Sequence, residues 1–163
     1  MRWLDALTVP AFVAEVAACC ASTAWARRLA GMRPFGDFAR LLTAADEAWA
    51  GTGPQDWHEA FSAHPRIGER GTGWSQGEQA GATGASQGTL DALVEGNLAY
   101  ERRFGHVFLI CATGRSADEM LEALRERLGN DPDTELRVAA EEQRKITRLR
   151  LDKLVSADAG GAR

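Results

Sequence analysis

Apolar residues recur three and four positions apart over most of the chain, the spacing of one helix face. Phe12, Val13, Val16 and Ala17 follow Thr8-Val9-Pro10, which predicts a helix with proline in its first turn. Residues 1–31 read as two short helices, with Gly31 closing the segment that carries Trp25 and Leu29. Pro34 is expected to restart helix, with Phe35, Phe38, Leu41 and Leu42 in phase and continuation toward Trp49. Thr89 is the expected cap of a helix with Leu90, Leu93, Val94, Leu98 and Phe104 on it, interrupted by Gly105. The apolar run at 107–111 fits either a strand or a buried helix. Ser116-Ala117-Asp118-Glu119 is a capping box for a helix with Met120, Leu121, Leu124 and Leu128, closed by Gly129. Asp133-Thr134 is the expected cap of a last helix running to about residue 155, with a frayed Gly-rich end beyond it.

Residues 51–88 break this pattern. They hold more than half of the 17 glycines and few aliphatic side chains. Short helical turns fit at 54–62 and 75–83, and Trp57, Phe61 and Trp74 are the anchors. A long irregular stretch inside a compact domain marks a functional segment. The expected architecture is therefore all-α: a single-domain multi-helix bundle over residues 1–163 with one Gly-rich active-site segment.

Composition sharpens that expectation. Ala (29) and Leu (16) dominate the apolar set, while Val and Ile together number ten, which disfavours a large sheet. The net charge of −4 argues against nucleic acid as a partner. No apolar run reaches the length of a membrane span, and the start, Met1-Arg2-Trp3-Leu4-Asp5, lacks the pattern of a signal peptide. Cys19, Cys20 and Cys111 are odd in number and form no CxxC, so neither disulfides nor zinc are expected and a reducing cytoplasm is the simplest location.

Three places carry residues with chemical potential. Pro65 forces His64 out of the helical region, so that its ring is presented from a stiff turn, as suits proton transfer. The alternative is a loop histidine bonded to a carbonyl, with Arg66 and Glu69 paired to each other or to solvent. Ser75 and Glu78 form a second S-x-x-E pattern, which a helix cap alone would explain. Gly77, Gly81 and Gly84 weaken that helix, however, and favour close approach of a ligand, for which Gln79 is a further polar group. When residues 136–154 are wound at roughly 100° each, Leu136, Ala139, Ala140, Gln143, Ile146 and Leu154 share one side. Arg137, Glu141, Arg144, Lys145, Arg148 and Asp152 share the other. Arg150 falls in the apolar sector, where it must be paired or reach into a cavity as a substrate-binding fork. Asn97 is a polar residue among apolar neighbours. His58, His64 and His106 lack metal-ligand spacing, so no metal is expected.

His64-Pro65-Arg66-Ile67-Gly68, Ser75-x-x-Glu78-Gln79-x-Gly81, Asn97-x-x-Tyr100-x-x-Arg103-Phe104-Gly105-x-x-Phe108 and Lys145-Ile146-Thr147-x-Leu149-Arg150-Leu151 occur in this order, with Arg33-Pro34-Phe35 and Cys111-Ala112-x-Gly114 also present. Together they resemble the 2-oxo-4-hydroxy-4-carboxy-5-ureidoimidazoline (OHCU) decarboxylases of urate breakdown, over roughly residues 5–155. The resemblance implies an all-α, cofactor-independent enzyme yielding (S)-allantoin and commonly a homodimer. It implies His64 and Glu78 as catalytic residues and Pro65, Ser75, Gln79 and Arg150 as contacts to a small ureidoimidazoline substrate. Two other readings of such a chain are an inactive helical binding domain and a hydrolase of a related ureido compound.

Overall fold

A computed structural model describes residues 1–67 and 85–159. The described residues form eight α-helices and no strand: α1 (Arg2–Ala6), α2 (Val9–Val16), α3 (Thr23–Ala30), α4 (Phe38–Ala50), α5 (Pro54–Ser62), α6 (Gln87–Phe104), α7 (Ala117–Arg127) and α8 (Pro132–Ala159). The all-α expectation therefore holds. The chain divides into two compact units, Met1–Ala60 with Arg144–Arg163, and Phe61–Gln143.

In the first unit α2 packs on α3 and α3 on α4. The Thr8 side chain accepts from the Ala11 amide, and Ser22 accepts from the Trp25 amide, so each helix starts on a hydroxyl cap. Leu4, Phe12, Val16, Trp25, Leu29, Phe35 and Leu41 are buried, as are Cys19 and Cys20. The Trp25 indole N–H donates to the Ala45 carbonyl at 3.0 Å, which satisfies a fully buried donor.

Residues 1–31 form three helices rather than the expected two. Pro34 does not start a helix either; α4 begins at Phe38, where Asp37 accepts from the Arg40 amide at 2.8 Å. The physical reason lies across the unit. The Asp5 carboxylate takes the Phe35 and Gly36 amides at 2.9 and 3.2 Å. Arg33 donates to the carbonyls of Ala30 (3.0 Å) and Leu7 (2.6 Å). These bonds hold residues 33–36 as a connector, and Phe35 is buried from a loop.

In the second unit α6 packs against α7. Leu93, Tyr100, Phe108, Ile110, Met120 and Leu124 form its core. Contact is close enough that a Cβ built on Gly96 would lie 2.5 Å from Leu124 Cδ2. Ser86, not Thr89, caps α6: its hydroxyl takes the Thr89 amide at 3.1 Å, while the Thr89 hydroxyl donates to Asp118. Gly105 ends α6 with φ 75°, in the left-handed region. The Ser116–Glu119 capping box forms as expected.

The run at 107–111 is neither strand nor helix. Phe108, Leu109 and Ile110 are buried in irregular backbone. Its polar groups are met by side chains: Arg127 donates to the Leu109 carbonyl at 2.8 Å and Glu142 accepts the Cys111 amide at 2.7 Å. The last helix starts earlier than expected, at Pro132, with Asp131 accepting from the Thr134 amide. Its 28 residues give a rod about 42 Å long.

A buried cluster in this unit links α6, α7 and α8 through Tyr100, Arg127 and Glu135. Glu135 receives Arg127 at 2.6 Å and Asn130 at 2.8 Å, and the Tyr100 hydroxyl donates to it. Arg127 also lies over the Phe108 ring at 4.7 Å.

Candidate functional site

His64 sits two residues beyond the end of α5, and its amide donates to the Phe61 carbonyl at 3.0 Å. Pro65 then takes the chain away from helix. The His64 ring is half-buried, with Nε2 2.9 Å from Gln143 Oε1. An amide oxygen only accepts, so in this pairing Nε2 carries the hydrogen and the neutral ring has its lone pair on Nδ1.

The turn is fixed at the next two residues, by the Arg66 side chain and the Ile67 carbonyl. Arg66 binds Glu101 of α6 through two bonds, Nε to Oε1 at 2.5 Å and Nη2 to Oε2 at 2.9 Å. That guanidinium holds the Glu101 carboxyl below the usual carboxylate range. Arg66 thus pairs with Glu101; the pairing with Glu69 that the sequence allowed involves a residue outside the described ones. The Ile67 carbonyl accepts from Asn97 Nδ2 at 3.3 Å, and the same nitrogen donates to the Leu93 carbonyl at 2.7 Å. Asn97 is fully buried, and its Oδ1 has no hydrogen-bond partner among the described residues.

Arg150 belongs to the first unit. It is buried, 8% exposed, although it carries a charge, and Nη1 reaches the Ala18 carbonyl at 3.4 Å. It lies near the Cys20 thiol. Burial pushes that thiol up to about 11, against the opposing effects of a Ser22 backbone bond, a Thr147 side-chain bond and the Arg150 charge. Arg148, two residues earlier, is half-exposed and pairs with Asp46 at 2.5 Å, beside Arg144 at 3.1 Å. The winding of α8 thus separates the two arginines as the sequence predicts.

Ser75, Glu78 and Gln79 lie outside the described residues, as do the glycines around them. Of the expected site residues, the structure brings His64 and Pro65 together on one pinned turn in the second unit. Arg150 stands in the first. Among the described residues no group of three or more His, Cys, Asp or Glu side chains could hold a metal ion. Sequence reasoning missed Gln143 and Glu101. Gln143 sits in the apolar sector of α8, and a fully buried amide there was the available signal. Glu101 offered none, because its partner is 35 residues away.

The family model described as OHCU decarboxylase matches residues 5–152. The chain is 40% identical over 147 residues to the uric acid degradation bifunctional protein TTL of Arabidopsis thaliana, covering 85% of this chain and 45% of that protein. It is 41% identical over 90 residues to the 2-oxo-4-hydroxy-4-carboxy-5-ureidoimidazoline decarboxylase of Amia calva, covering 54% of this chain and 51% of that one. The chain thus spans about half the length of these curated relatives. A crystal structure of an OHCU decarboxylase in the presence of (S)-allantoin superposes with a TM-score of 0.80 at 41% identity, covering 87% of this chain and 97% of that chain. The chain belongs to the OHCU decarboxylase family.

Proposed function

We propose that this chain decarboxylates 2-oxo-4-hydroxy-4-carboxy-5-ureidoimidazoline to (S)-allantoin, without a cofactor. The observation that carries the reading is the His64 ring, held on a non-helical turn with Nε2 against Gln143, in a member of this family. The substrate itself supplies the electron sink. The bond to the carboxylate breaks, and its electron pair forms a double bond to the neighbouring ring carbon. The C=N pair moves onto the ring nitrogen, which takes a proton. Loss of the hydroxyl proton and protonation of that carbon on one face then give the S centre.

His64 is the proton-transferring group. Glu78 orients the hydroxyl and ureido hydrogens, Ser75 and Gln79 bond the ring and ureido amides, and Pro65 lines the pocket beside the histidine. Arg150 binds ring or ureido oxygens and positions the substrate. Tight pairing with the departing carboxylate would stabilise the ground state and slow CO2 loss. We further read the protein as a cytoplasmic homodimer, which predicts a solution mass of twice 17.6 kDa.

The experiment generates the substrate in place from urate with the two enzymes that oxidise and hydrate it, and follows circular dichroism as allantoin forms. Wild type should give rapid CO2 release and an optically active product; His64→Ala and Glu78→Ala should lose most of the rate while remaining folded. Unchanged decay of the substrate would leave a binding domain, and product without CO2 would leave a hydrolase.

A further inference from the structure

We propose that Gln143 is a positioning residue for His64: its amide oxygen fixes the Nε2–H tautomer and so makes Nδ1 the nitrogen that exchanges a proton with the substrate. The inference rests on the reading of His64 as the proton-transferring group. It deepens that reading by naming the atom.

Three observations carry it. First, the contact is direct, 2.9 Å from Nε2 to Oε1, and Gln143 is fully buried. A buried amide on the apolar side of α8 costs free energy unless its groups are bonded, so the bond to the ring explains its presence there. Second, both ends are fixed. Gln143 shares the apolar side of α8 with the buried Ala139 and Ala140, and its neighbour Glu142 is tied to the Cys111 amide. On the other side, Arg66 is tied to Glu101 and the Ile67 carbonyl to Asn97. A ring followed by proline on a turn pinned at the next two residues has little freedom to turn over and offer Nδ1 to Gln143 in place of Nε2. Third, the group against Nε2 is an amide oxygen and not a carboxylate. A carboxylate against Nε2 would favour the imidazolium. An amide oxygen at Nε2 orients the ring without adding charge there.

The test uses full-length protein labelled with 15N at histidine. Two-bond nitrogen–proton correlations, recorded where the His64 ring is neutral, should show the hydrogen on Nε2. Gln143→Leu should give a mixture of tautomers. Its kcat should fall about tenfold to a hundredfold, with KM changed far less, the size expected when a proton-transfer group loses its orientation. Gln143→Glu keeps an acceptor of the same shape. It should retain Nε2–H, raise the pH at which His64 titrates and move the pH–rate profile the same way, and it stands in for the leucine variant should that one fail to fold. Hydrogen on Nδ1 in the wild type would overturn the proposal, and so would Gln143→Leu with tautomer and kcat unchanged. The tautomer readout needs no turnover. An inactive wild type with Nε2–H intact would therefore sink the catalytic role of His64 and the assignment of Nδ1, while the orienting bond from Gln143 would stand.

Discussion

The Arg66 guanidinium meets the Glu101 carboxylate side-on, with two parallel hydrogen bonds between the turn after α5 and helix α6. Such bidentate pairs add geometric precision as well as energy. The side chains are 40% and 24% exposed, so the pair contributes at most about 1 kcal/mol to global stability. Its effect is local. Glu101→Gln should change the melting temperature little, yet speed hydrogen exchange at the His64 and Ile67 amides and lower kcat several-fold. The carboxyl is held below its ordinary value, so its contribution is present above about pH 4.3 and is lost as pH falls through the lower folded value. Acidification below that point should loosen the same two amides in wild type and not in the glutamine variant. Equal behaviour of the two proteins would contradict this.

Arg148 and Arg150 differ in environment despite their spacing of two. Arg148 answers Asp46 at a half-exposed site, and Arg150 is buried. Lysine cannot reproduce a planar fork. Arg150→Lys should raise KM for the ureidoimidazoline by about tenfold or more, a loss of roughly 1.4 kcal/mol or more. Arg148→Lys should leave KM within about twofold. The reverse order in steady-state kinetics would remove Arg150 from the substrate.

Tyr100 is the only tyrosine of the chain. Burial and the hydrogen bond to Glu135 push its hydroxyl far above the ordinary tyrosine range. A raised folded value means stability that is present below about pH 10, the unfolded value, and lost as pH rises beyond it. Ultraviolet titration of the native protein should therefore show no phenolate until unfolding. Tyr100→Phe keeps the ring packing on Phe104 and Phe108. It should cost about 1–2 kcal/mol at neutral pH and flatten the alkaline loss seen by denaturant unfolding. Early phenolate absorbance in folded protein would refute the assignment.

Two glycines on α6 should respond oppositely to alanine. At Gly96 the new methyl group meets Leu124 Cδ2 at 2.5 Å and Cγ at 3.2 Å, and Leu124 is fully buried. Overpacking of about 1–3 kcal/mol outweighs the helix-propensity gain of about 1 kcal/mol. Among the described residues Gly88 has only Ser86 Oγ nearby, at 4.0 Å, so Gly88→Ala should be neutral or stabilising by up to about 1 kcal/mol. Thermal melts of the two variants decide it.

Helix faces were legible in the sequence because periodicity depends only on near neighbours. The apolar sector of α8 and the inward Arg150 follow from rotation alone, as does the Ser116–Glu119 box from its spacing. What failed to show was set by distant partners. Pro34 and Phe35 read as a helix start until Asp5, 30 residues earlier, captures the Phe35 amide. The run at 107–111 was undecidable because its backbone is satisfied by Arg127 and Glu142 instead of by a neighbouring turn or strand. In the candidate site, His64 was visible through the proline that follows it. Gln143 was hidden among residues that read as packing.

Glu135 gathers three donors in a fully buried place, and this bears on how the sequence can drift. Loss of Arg127 alone would strand a buried carboxylate, and loss of Glu135 alone would strand a buried guanidinium. Either single change should cost about 3–5 kcal/mol, whereas exchanging both for well-packed apolar residues can be nearly neutral. Viable lineages must therefore change positions 127 and 135 together or neither. The two should covary across relatives as one unit, with residue 100 alternating between tyrosine and phenylalanine according to whether the acid is present.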